Sequence, residues 1–471
     1  MEKRKYHLIL FIALICFASQ INAQLVWDGT SSPWTHGTGT ASDPYLIETP
    51  QNLSWLSDMV NNGVSNYSGV YFKQTADFNM NGNSYGFNVI GDNSSSHYFS
   101  GHYDGDFNSI SNLKISNVSD CIGLFGYTIN ASLKGVSVKG IKGTGTSVYK
   151  KYVGSIIANS LKDTLINCSC SGNIEITENV SSQTTPSYTY VGGLIGYSVS
   201  SVSVNCFVSG DVRATRNYYN YFYVGGLFGE ITASYDASYM GGNQPLISQA
   251  KCCYFKGQVY INGSSYWYAY SQTIRSSYYG MLAGDCDNSA CVLQNCYSVG
   301  TFSVVSSSYI QSNDVLIGLQ NGAVTNNNQY SGTSVSTTSS FGTYRADSYM
   351  KSIAMPILLN SGLDSTVYYY DSLNVNSGYP IFGYQRPIKY FVNATCDVDK
   401  GSVSRAGRYA SGSTVSLRAM PAEGYIFSGW SDGTTANPRT VTVTSDTTYT
   451  ANFTKNAYNV YVKQDCTVNV E

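Results

Sequence analysis

The amino-acid sequence predicts an all-β protein whose main part is a parallel β-solenoid with short capping helices, followed by a smaller separate β domain. Two patterns predict the solenoid: a glycine-flanked apolar segment recurs along the middle of the chain, and apolar residues alternate with polar ones after each copy. The composition agrees, because 45 Gly and 42 Tyr accompany only 12% charged residues. Such a composition is typical of strands and turns.

Residues 1–23 are predicted to be a signal peptide. Lys3, Arg4 and Lys5 precede an apolar run over residues 8–18, and Ala23 before Gln24 is a suitable cleavage point. The run is too short to span a bilayer comfortably, although an uncleaved anchor is the alternative. We therefore expect an extracellular or outer cell-surface protein with no transmembrane segment after signal removal.

The repeat has two elements at a fixed spacing. Val191-Gly-Gly-Leu-Ile-Gly-Tyr197 recurs as Val224-Gly-Gly-Leu-Phe-Gly-Glu230, and weaker copies begin at residues 122, 153, 279 and 316. The second element is a small residue followed by Gly four positions later, and it lies 15 residues after both Val153 and Val191. One such unit cannot bury its own apolar face, so the copies must stack as coils about 4.8 Å apart.

Stacking places one cysteine of each second element at the same position of successive coils. Val136 occupies this position in an earlier copy, which indicates a small apolar group that faces inward. Disulfides between some coils are the alternative, although the 12 cysteines leave an odd number after signal removal. We name these four residues the cysteine ladder: Cys168, Cys206, Cys253 and Cys296.

Two helices are expected to cap the ends of the solenoid. Thr49-Pro50 starts a helix whose apolar stripe includes Leu53 and Leu56, and Gly63 stops it. A second short helix is predicted near residues 348–359, where it would cover the other end. The segment 378–382 is expected to close the domain.

The repeats resemble the GLUG-motif family of bacterial surface proteins. The resemblance rests on Gly193-Leu-Ile-Gly196 and Gly226-Leu-Phe-Gly229, together with the Asn-Cys-aromatic segments at residues 205–207 and 295–297. It covers about residues 37–384, and the copies at 153, 279 and 315 depart from the core motif. The resemblance implies a β-solenoid.

The composition changes after Pro387, and alternating apolar residues continue to Phe453 around Phe427 and Trp430, the expected core anchors. Gly429-Trp-Ser-Asp-Gly433 and its flanking strands resemble the B-repeat modules of internalin-type proteins, which implies a β-grasp-like fold. The predicted organisation has four parts: 1–23 signal peptide, 24–387 solenoid with N-terminal cap, 388–455 B-repeat module, and 456–471 a partial further strand or tail.

The sequence supplies no recognisable catalytic motif. GLUG repeats accompany zinc metallopeptidases that cut immunoglobulin A, but the four histidines here (7, 36, 97 and 102) form no His-Glu-x-x-His string. Neither a Ser-His-Asp set nor a nucleophile elbow is found. We therefore predict no enzyme, no catalytic or metal-binding residues and no cofactor, and a net charge of −2 gives no reason to expect nucleic acid as a partner.

Clustered aromatic residues are the predicted ligand-binding signal. Tyrosine offers a flat apolar face and a polar tip, which suits sugar rings and protein contacts. The alternative is that these tyrosines belong to the solenoid core or pave a strand face. The candidate residues are Tyr218, Tyr219, Tyr221, Tyr223, Tyr266, Trp267, Tyr268 and Tyr270.

We therefore expect an adhesin-like binding protein that recognises a glycan or a protein on another cell or in a matrix. Two alternatives remain: a β-helix carbohydrate-active enzyme (lyase or hydrolase), and a spacer region of a larger surface protein.

Overall fold

The computed structural model describes residues 25–92, 94, 96–115, 120–145, 150–178, 187–216, 220–233, 247–263, 277–287, 291–305, 310–311, 314–320, 324–332, 338–386, 389–404, 407–410 and 414–456. The predicted signal peptide and residues 457–471 lie outside this part of the chain. The chain divides into two compact units, Met1–Phe382 and Gly383–Glu471.

The first unit is a parallel β-solenoid, as the sequence predicts. Each complete coil passes through four parallel sheets, which we number I to IV in chain order. Sheet I contains Cys121–Ile122, Lys150–Gly154, Ser187–Gly192, Asn220–Gly225, Ser277–Gly280 and Ile310–Gln311. Sheet II contains Phe125–Ile129, Ile157–Leu161, Ile195–Val199, Phe228–Thr232, Ala283–Asp287 and Ile317–Gln320.

Sheets III and IV extend further towards both ends. Sheet III contains Tyr45–Ile47, Tyr71–Gln74, His102–Asp104, Ser132–Lys134, Thr164–Ile166, Val202–Val204, Ser248–Lys251, Cys291–Gln294 and Val324–Asn326. Sheet IV contains Leu25–Val26, Phe78–Asn79, Ser109–Ile115, Ser137–Gly145, Ser169–Ser171, Ile174–Glu178, Phe207–Ser209, Val212–Arg216, Tyr254–Gly263, Tyr297–Val305, Gln329–Ser331 and Thr343–Tyr344.

The register of the sheets follows the sequence repeat. Val153 pairs with Val191 and Val191 with Val224 in sheet I, and Ile157 pairs with Ile195 in sheet II. These residues are at most 1% exposed, so the apolar positions of every copy stack into one continuous core. The predicted alignment of the copies is confirmed.

The cysteine ladder faces inward in this core. All four residues are fully buried, and the Cys168 N–H donates to Cys206 Sγ at 3.4 Å, as the Cys253 N–H does to Cys296 Sγ. None of the four ladder residues forms a disulfide. The interpretation as small apolar core residues is therefore the one that the structure supports, over disulfides between coils.

A helix over Pro50–Asn61 covers apolar residues near the N-terminal end of the solenoid. The Thr49 hydroxyl accepts the Asn52 N–H, and the Asn52 side chain accepts the Thr49 N–H, which forms a reciprocal cap. Leu53 and Leu56 are fully buried against the core. This helix was predicted from the Thr-Pro start and the apolar stripe.

The second helix predicted near residues 348–359 is present in that segment, but it is divided in two. The chain forms two short helices, Asp347–Met350 and Ala354–Leu359, separated by a turn. Asn295 and Asn327, on successive coils, donate to the carbonyls of Leu359 and Leu358, so the second of these helices contacts two coils. Phe341 and Tyr344 pack against the core, and the strand Thr343–Tyr344 pairs with Gln329–Ser331.

We name residues 347–382 the side segment, because they lie along the side of the last coils. The outward aromatic residues of sheet IV stack there, with ring centroids 4.8 Å apart for Phe207–Tyr254 and 4.7 Å for Tyr254–Tyr297. The side segment covers them with Phe382, 5.3 Å from Tyr254, and with Tyr368, 5.8 Å from Tyr297. Its own strands, Tyr368–Tyr369 and Ile381–Phe382, pair antiparallel.

The second unit begins with a short 3₁₀ helix, Gly383–Gln385, followed by two β-sheets. The four-stranded sheet contains Gly407–Ala410, Lys389–Cys396, Thr447–Lys455 and Tyr425–Trp430. The three-stranded sheet contains Gly401–Ser404, Thr414–Pro421 and Arg439–Thr442. Trp430 is 2% exposed and Leu417 is fully buried between the sheets, whereas Phe427 is only partly buried at the edge of this core.

Candidate functional site

The glycine motif folds each coil sharply between sheets I and II. A Cβ atom on Gly229 would lie 2.4 Å from the Gly196 carbonyl oxygen and 2.6 Å from the Val191 nitrogen. Equivalent positions are equally tight, since a Cβ on Gly284 would lie 2.4 Å from the Val224 nitrogen. The last glycine of the motif is therefore required because the main chains of the two sheets touch at this fold.

The residues on either side of the motif face each other across this fold. In three successive coils a tyrosine precedes the motif, and the residue seven positions later faces it from sheet II. These side chains cluster separately from the solenoid core. We name this surface the tyrosine crease, with Tyr152, Tyr190, Tyr223 and Tyr278 on sheet I and Tyr197, Glu230 and Asp285 on sheet II.

The sheet I wall of the crease is a stack of parallel tyrosine rings. Tyr152 and Tyr190 have centroids 5.6 Å apart and an interplanar angle of 8°, and Tyr190 and Tyr223 are 5.2 Å apart at 12°. Tyr278 continues the stack 6.0 Å from Tyr223. Tyr197 approaches from the other wall, with its ring 4.9 Å from that of Tyr190. The stack follows directly from the register of the coils, which repeats one side chain at the inter-strand spacing.

Two carboxylates of the opposite wall lie on adjacent coils. Glu230 and Asp285 are register partners in sheet II and are 7% and 5% exposed. Burial, followed by the charges of Asp285 and Asp287, raises the pKa of Glu230 to about 8. Lys150 and a hydrogen bond from Tyr190 offset part of this effect. We name Glu230 and Asp285 the carboxylate pair.

The hydrogen bonding of the Asp285 carboxylate is incomplete. Burial and the nearby charge of Asp287 raise its pKa to about 7, and the Cys286 N–H opposes this shift with one hydrogen bond. Its Oδ1 atom is buried without a hydrogen-bond partner. An unsatisfied buried acceptor of this kind typically costs about 1–3 kcal/mol. Asp285 is therefore held in the crease at an energetic cost.

Asp163 is a buried carboxylate of the same solenoid whose two oxygens both accept hydrogen bonds. Its side chain is 1% exposed and accepts hydrogen bonds from the Thr128 and Ser160 hydroxyls and from the Ala131 N–H, at 2.5–2.7 Å. Burial raises the pKa of Asp163 to about 7 despite these bonds. Both oxygens of Asp163 are bonded, which distinguishes it from Asp285.

The structure describes two of the predicted ligand-binding residues. Tyr223 lies in the tyrosine crease and is 9% exposed, so most of its ring is covered by its neighbours. Tyr221 lies in the strand Asn220–Gly225, but its side chain is outside the described part. The remaining candidates are wholly outside the described residues: Tyr218, Tyr219, Tyr266, Trp267, Tyr268 and Tyr270.

Sequence reasoning missed the other residues of the crease. Tyr190, Tyr197, Glu230 and Asp285 each flank a copy of the glycine motif, which was used only to align the repeat. When the copies of the motif are aligned, the position just before the motif is mainly tyrosine, and the position just after it contains the two acids. That pattern is the signal that could have located the crease.

The crease does not have the composition of a metal centre. Among the described residues, no three His, Cys, Asp or Glu side chains are grouped so that they could hold a metal ion. The tyrosine and carboxylate side chains of the crease can instead offer flat faces, hydroxyl groups and negative charge to a ligand.

Comparison with known proteins gives two findings. Residues 392–457 match the model of the divergent InlB B-repeat domain family, which covers most of the second unit. A solved structure described as a "putative immunoglobulin A1 protease" from Bacteroides ovatus is 15% identical to this chain, with a TM-score of 0.39, and the match covers 74% of this chain and 94% of the other. No curated protein matches this chain.

Within the part of the chain that the structure covers, no helix combines the length and the apolar character that crossing a bilayer requires.

Proposed function

We propose that this protein is an extracellular or surface-displayed binding protein whose solenoid contacts a glycan or a protein through the tyrosine crease. The crease carries the proposal, because four stacked tyrosines form a cluster separate from the solenoid core and two acids lie beside them. The B-repeat unit supports it, since such modules are typical of bacterial surface proteins. The sequence-predicted signal peptide agrees with export.

Tyrosine is well suited to this role. A ring presents apolar area at the cost of only two side-chain torsions, and its hydroxyl group supplies directional hydrogen bonds. Residues 266–270, which the sequence analysis selects as ligand-binding candidates, precede the Tyr278 strand in the chain, and we retain them as a second contact of the same ligand.

A binding screen tests the proposal. The labelled protein is applied to glycan and matrix-protein arrays, and every hit is repeated with Tyr197→Ala. A matched control is Tyr71→Ala, because Tyr71 stacks on His102 at 4.1 Å outside the crease. We expect Tyr197→Ala to weaken binding at least tenfold and Tyr71→Ala to leave it unchanged. Equal affinity of the two variants for every hit would refute the role of the crease, and no hits at all would favour the spacer alternative.

The predicted loop is tested in the same screen. Replacing Tyr266, Trp267 and Tyr268 by Ala should weaken binding while the far-UV circular dichroism spectrum stays unchanged. Full binding by this variant would remove the loop from the proposal.

The carboxylate pair favours one second candidate, a carbohydrate-active hydrolase. Glycosidases use two carboxyl groups, one of which must hold a proton near neutral pH. Here, however, both acids extend from the same wall on neighbouring strands and are nearly enclosed, which leaves little room for a glycosidic bond between them. Release of reducing ends from a polysaccharide panel, and its loss in Glu230→Gln, would establish this activity in place of simple binding.

A further inference from the structure

We propose that the carboxylate pair receives the ammonium group of a lysine side chain presented by a partner protein. This inference rests on the proposed binding function and specifies its ligand chemistry. Four properties of the crease support it: the absence of an ion pair at the two acids among the described residues, the unsatisfied acceptor, the tyrosine rings and the small exposure of the pair.

The pair forms no ion pair of its own within the described residues, and the charge of Lys150 offsets only part of the effect of burial on Glu230. Several carboxylates elsewhere are ion-paired, such as Asp432 with Arg439 at 2.8 Å and Asp211 with Arg213 at 2.6 Å. Neither Glu230 nor Asp285 takes part in an ion pair among the described residues. Two adjacent acids without an ion-pair partner repel each other, and a positive ligand would relieve that repulsion.

Oδ1 of Asp285 indicates where such a ligand would bind. Asp285 is more than nine-tenths buried on the outward row of sheet II, and this oxygen accepts no hydrogen bond. Its charge acts on Tyr223 and Tyr197, so the carboxylate lies among the rings of the crease. An ammonium group can donate up to three hydrogen bonds, which would satisfy Oδ1 and the Glu230 carboxylate together.

The tyrosine rings favour an organic cation. A ring face attracts a cation within about 6 Å, and the effect is strongest where water is excluded. The protein already shows such a contact at the margin of the crease, where Lys150 Nζ lies 6.0 Å from the Tyr188 centroid. A divalent metal is disfavoured, because the described residues offer no group of three suitable ligands.

The small exposure of the pair selects a slender ligand. Glu230 and Asp285 are 7% and 5% exposed, so little room is left around them for the charged group of a ligand. A lysine side chain carries its charge on an unbranched four-carbon stem that can pack against tyrosine. The planar guanidinium of arginine and the ring of an amino sugar are both wider at the charged end.

The charge of the carboxylate pair also predicts that ligand binding depends on pH. The pair is partly protonated near pH 7, because burial and the charges of Asp285 and Asp287 raise the pKa of Glu230 to about 8, and burial and the charge of Asp287 raise that of Asp285 to about 7. An ammonium ligand favours the ionised pair, so binding should release protons and strengthen as the pH rises from 6 to 8. Among the described residues, the other titratable or charged groups near the pair are Lys150, Asp287, Tyr152, Tyr188, Tyr190, Tyr197, Tyr223, Tyr278, Cys286 and Cys291.

The test uses the whole protein and two short peptides that differ at one residue. One peptide, acetyl-Gly-Gly-Lys-Gly-Gly-amide, carries the ammonium group, and in the other norleucine replaces lysine and keeps the stem. Isothermal titration calorimetry at pH 8 is expected to show saturable lysine-peptide binding at least tenfold tighter than that of the norleucine peptide. Binding should weaken about tenfold at pH 6, and repeating the titration in buffers of different ionisation enthalpy should show proton release.

Variants locate the site. Asp285→Asn should weaken lysine-peptide binding at least fivefold, whereas Glu175→Gln, which removes an equal charge beside Lys142 on sheet IV, should not change it. Circular dichroism and thermal unfolding establish that both variants are folded. Unchanged binding in Asp285→Asn, or no saturable binding at millimolar peptide, would overturn the inference.

Two further outcomes separate this inference from the proposed function. Tighter binding of an arginine peptide or of glucosamine than of the lysine peptide would refute the choice of lysine. If an array partner loses affinity for Tyr197→Ala but not for Asp285→Asn, the crease binds its ligand without the carboxylate pair. In that case the proposed function stands and the lysine inference fails.

Discussion

Replacing Asp285 by Asn should stabilise the solenoid at alkaline pH. The substitution keeps the shape of the side chain and removes a negative charge that is buried beside Glu230 with one oxygen unsatisfied. Because the folded-state pKa of Asp285 lies above its unfolded value, the native protein binds this proton more tightly than the unfolded chain. Its contribution to stability is therefore fully present below pH 3.8 and is lost as the pH rises through about 7.

The size of the expected gain in stability follows from the pKa shift of Asp285. A rise from 3.8 to about 7 is about 3 pKa units, which at about 1.36 kcal/mol per unit gives an upper limit of about 4 kcal/mol above pH 7. The amide of Asn leaves its own buried polar atoms incompletely bonded, at about 1–2 kcal/mol. We expect a net gain of about 2 kcal/mol near pH 8 that falls to about zero near pH 5 and becomes a loss of about 1 kcal/mol near pH 4.

Urea unfolding monitored by circular dichroism measures this gain. At pH 8 the unfolding midpoint of Asp285→Asn should exceed that of the unmodified protein by on the order of 0.5 M, and the difference should be much smaller at pH 5. The control Glu175→Gln removes the same charge from a solvent-facing ion pair and should change stability by less than about 0.5 kcal/mol at both pH values. A destabilised Asp285→Asn at pH 8, or a gain independent of pH, would refute this account of the buried charge.

Three further predictions concern other parts of the molecule. Gly229→Ala should destabilise the solenoid by about 2 kcal/mol or more, because its Cβ would meet main-chain atoms at 2.4 and 2.6 Å; an unchanged thermal midpoint would contradict the close contact of the sheets. Maleimide labelling followed by mass spectrometry should leave the cysteine ladder unmodified in the native protein, whereas Cys396, which is partly exposed, should react; disulfide-linked ladder residues would show the core to be wrongly described. Trp430→Ala should destabilise the second unit by about 3–5 kcal/mol, seen as faster proteolysis within residues 389–456, while peptide binding by the crease is retained; resistance equal to that of the unmodified protein would refute its role as core anchor.

The sequence was sufficient to predict the coils because their stacking depends on local patterns. Alternating apolar residues define the buried face of each strand, and the glycine motif marks the same bend in every coil. The positions of Val153, Val191 and Val224 in one row follow from these patterns alone. The helix at Pro50 was similarly predictable from its cap and its apolar stripe.

The crease and the side segment were not predictable in the same way. Tyr190 and Tyr197 are seven residues apart on different strands, and they meet only because the coil folds sharply at the intervening glycines. The side segment follows the last coil in sequence, but its docking depends on contacts more than 70 residues away, such as that of Tyr368 with Asn295. No periodic pattern in the sequence predicts how sharply the coil bends at these glycines or where the side segment docks.

The docking of the side segment constrains how this architecture can change in length. Tyr368 donates to the Asn295 carbonyl, Tyr297 donates to that of Pro380, and Lys256 donates to the Ser377 hydroxyl, so two neighbouring coils are held by one continuous stretch of chain. A coil inserted between these two would move the tethered groups apart by about 4.8 Å and break this set of bonds. Coils before residue 200 carry no such tether among the described residues, and duplication or loss of whole coils should be tolerated best there. Evolution could thus extend the row of tyrosines from its N-terminal side without disturbing the buttressed C-terminal coils.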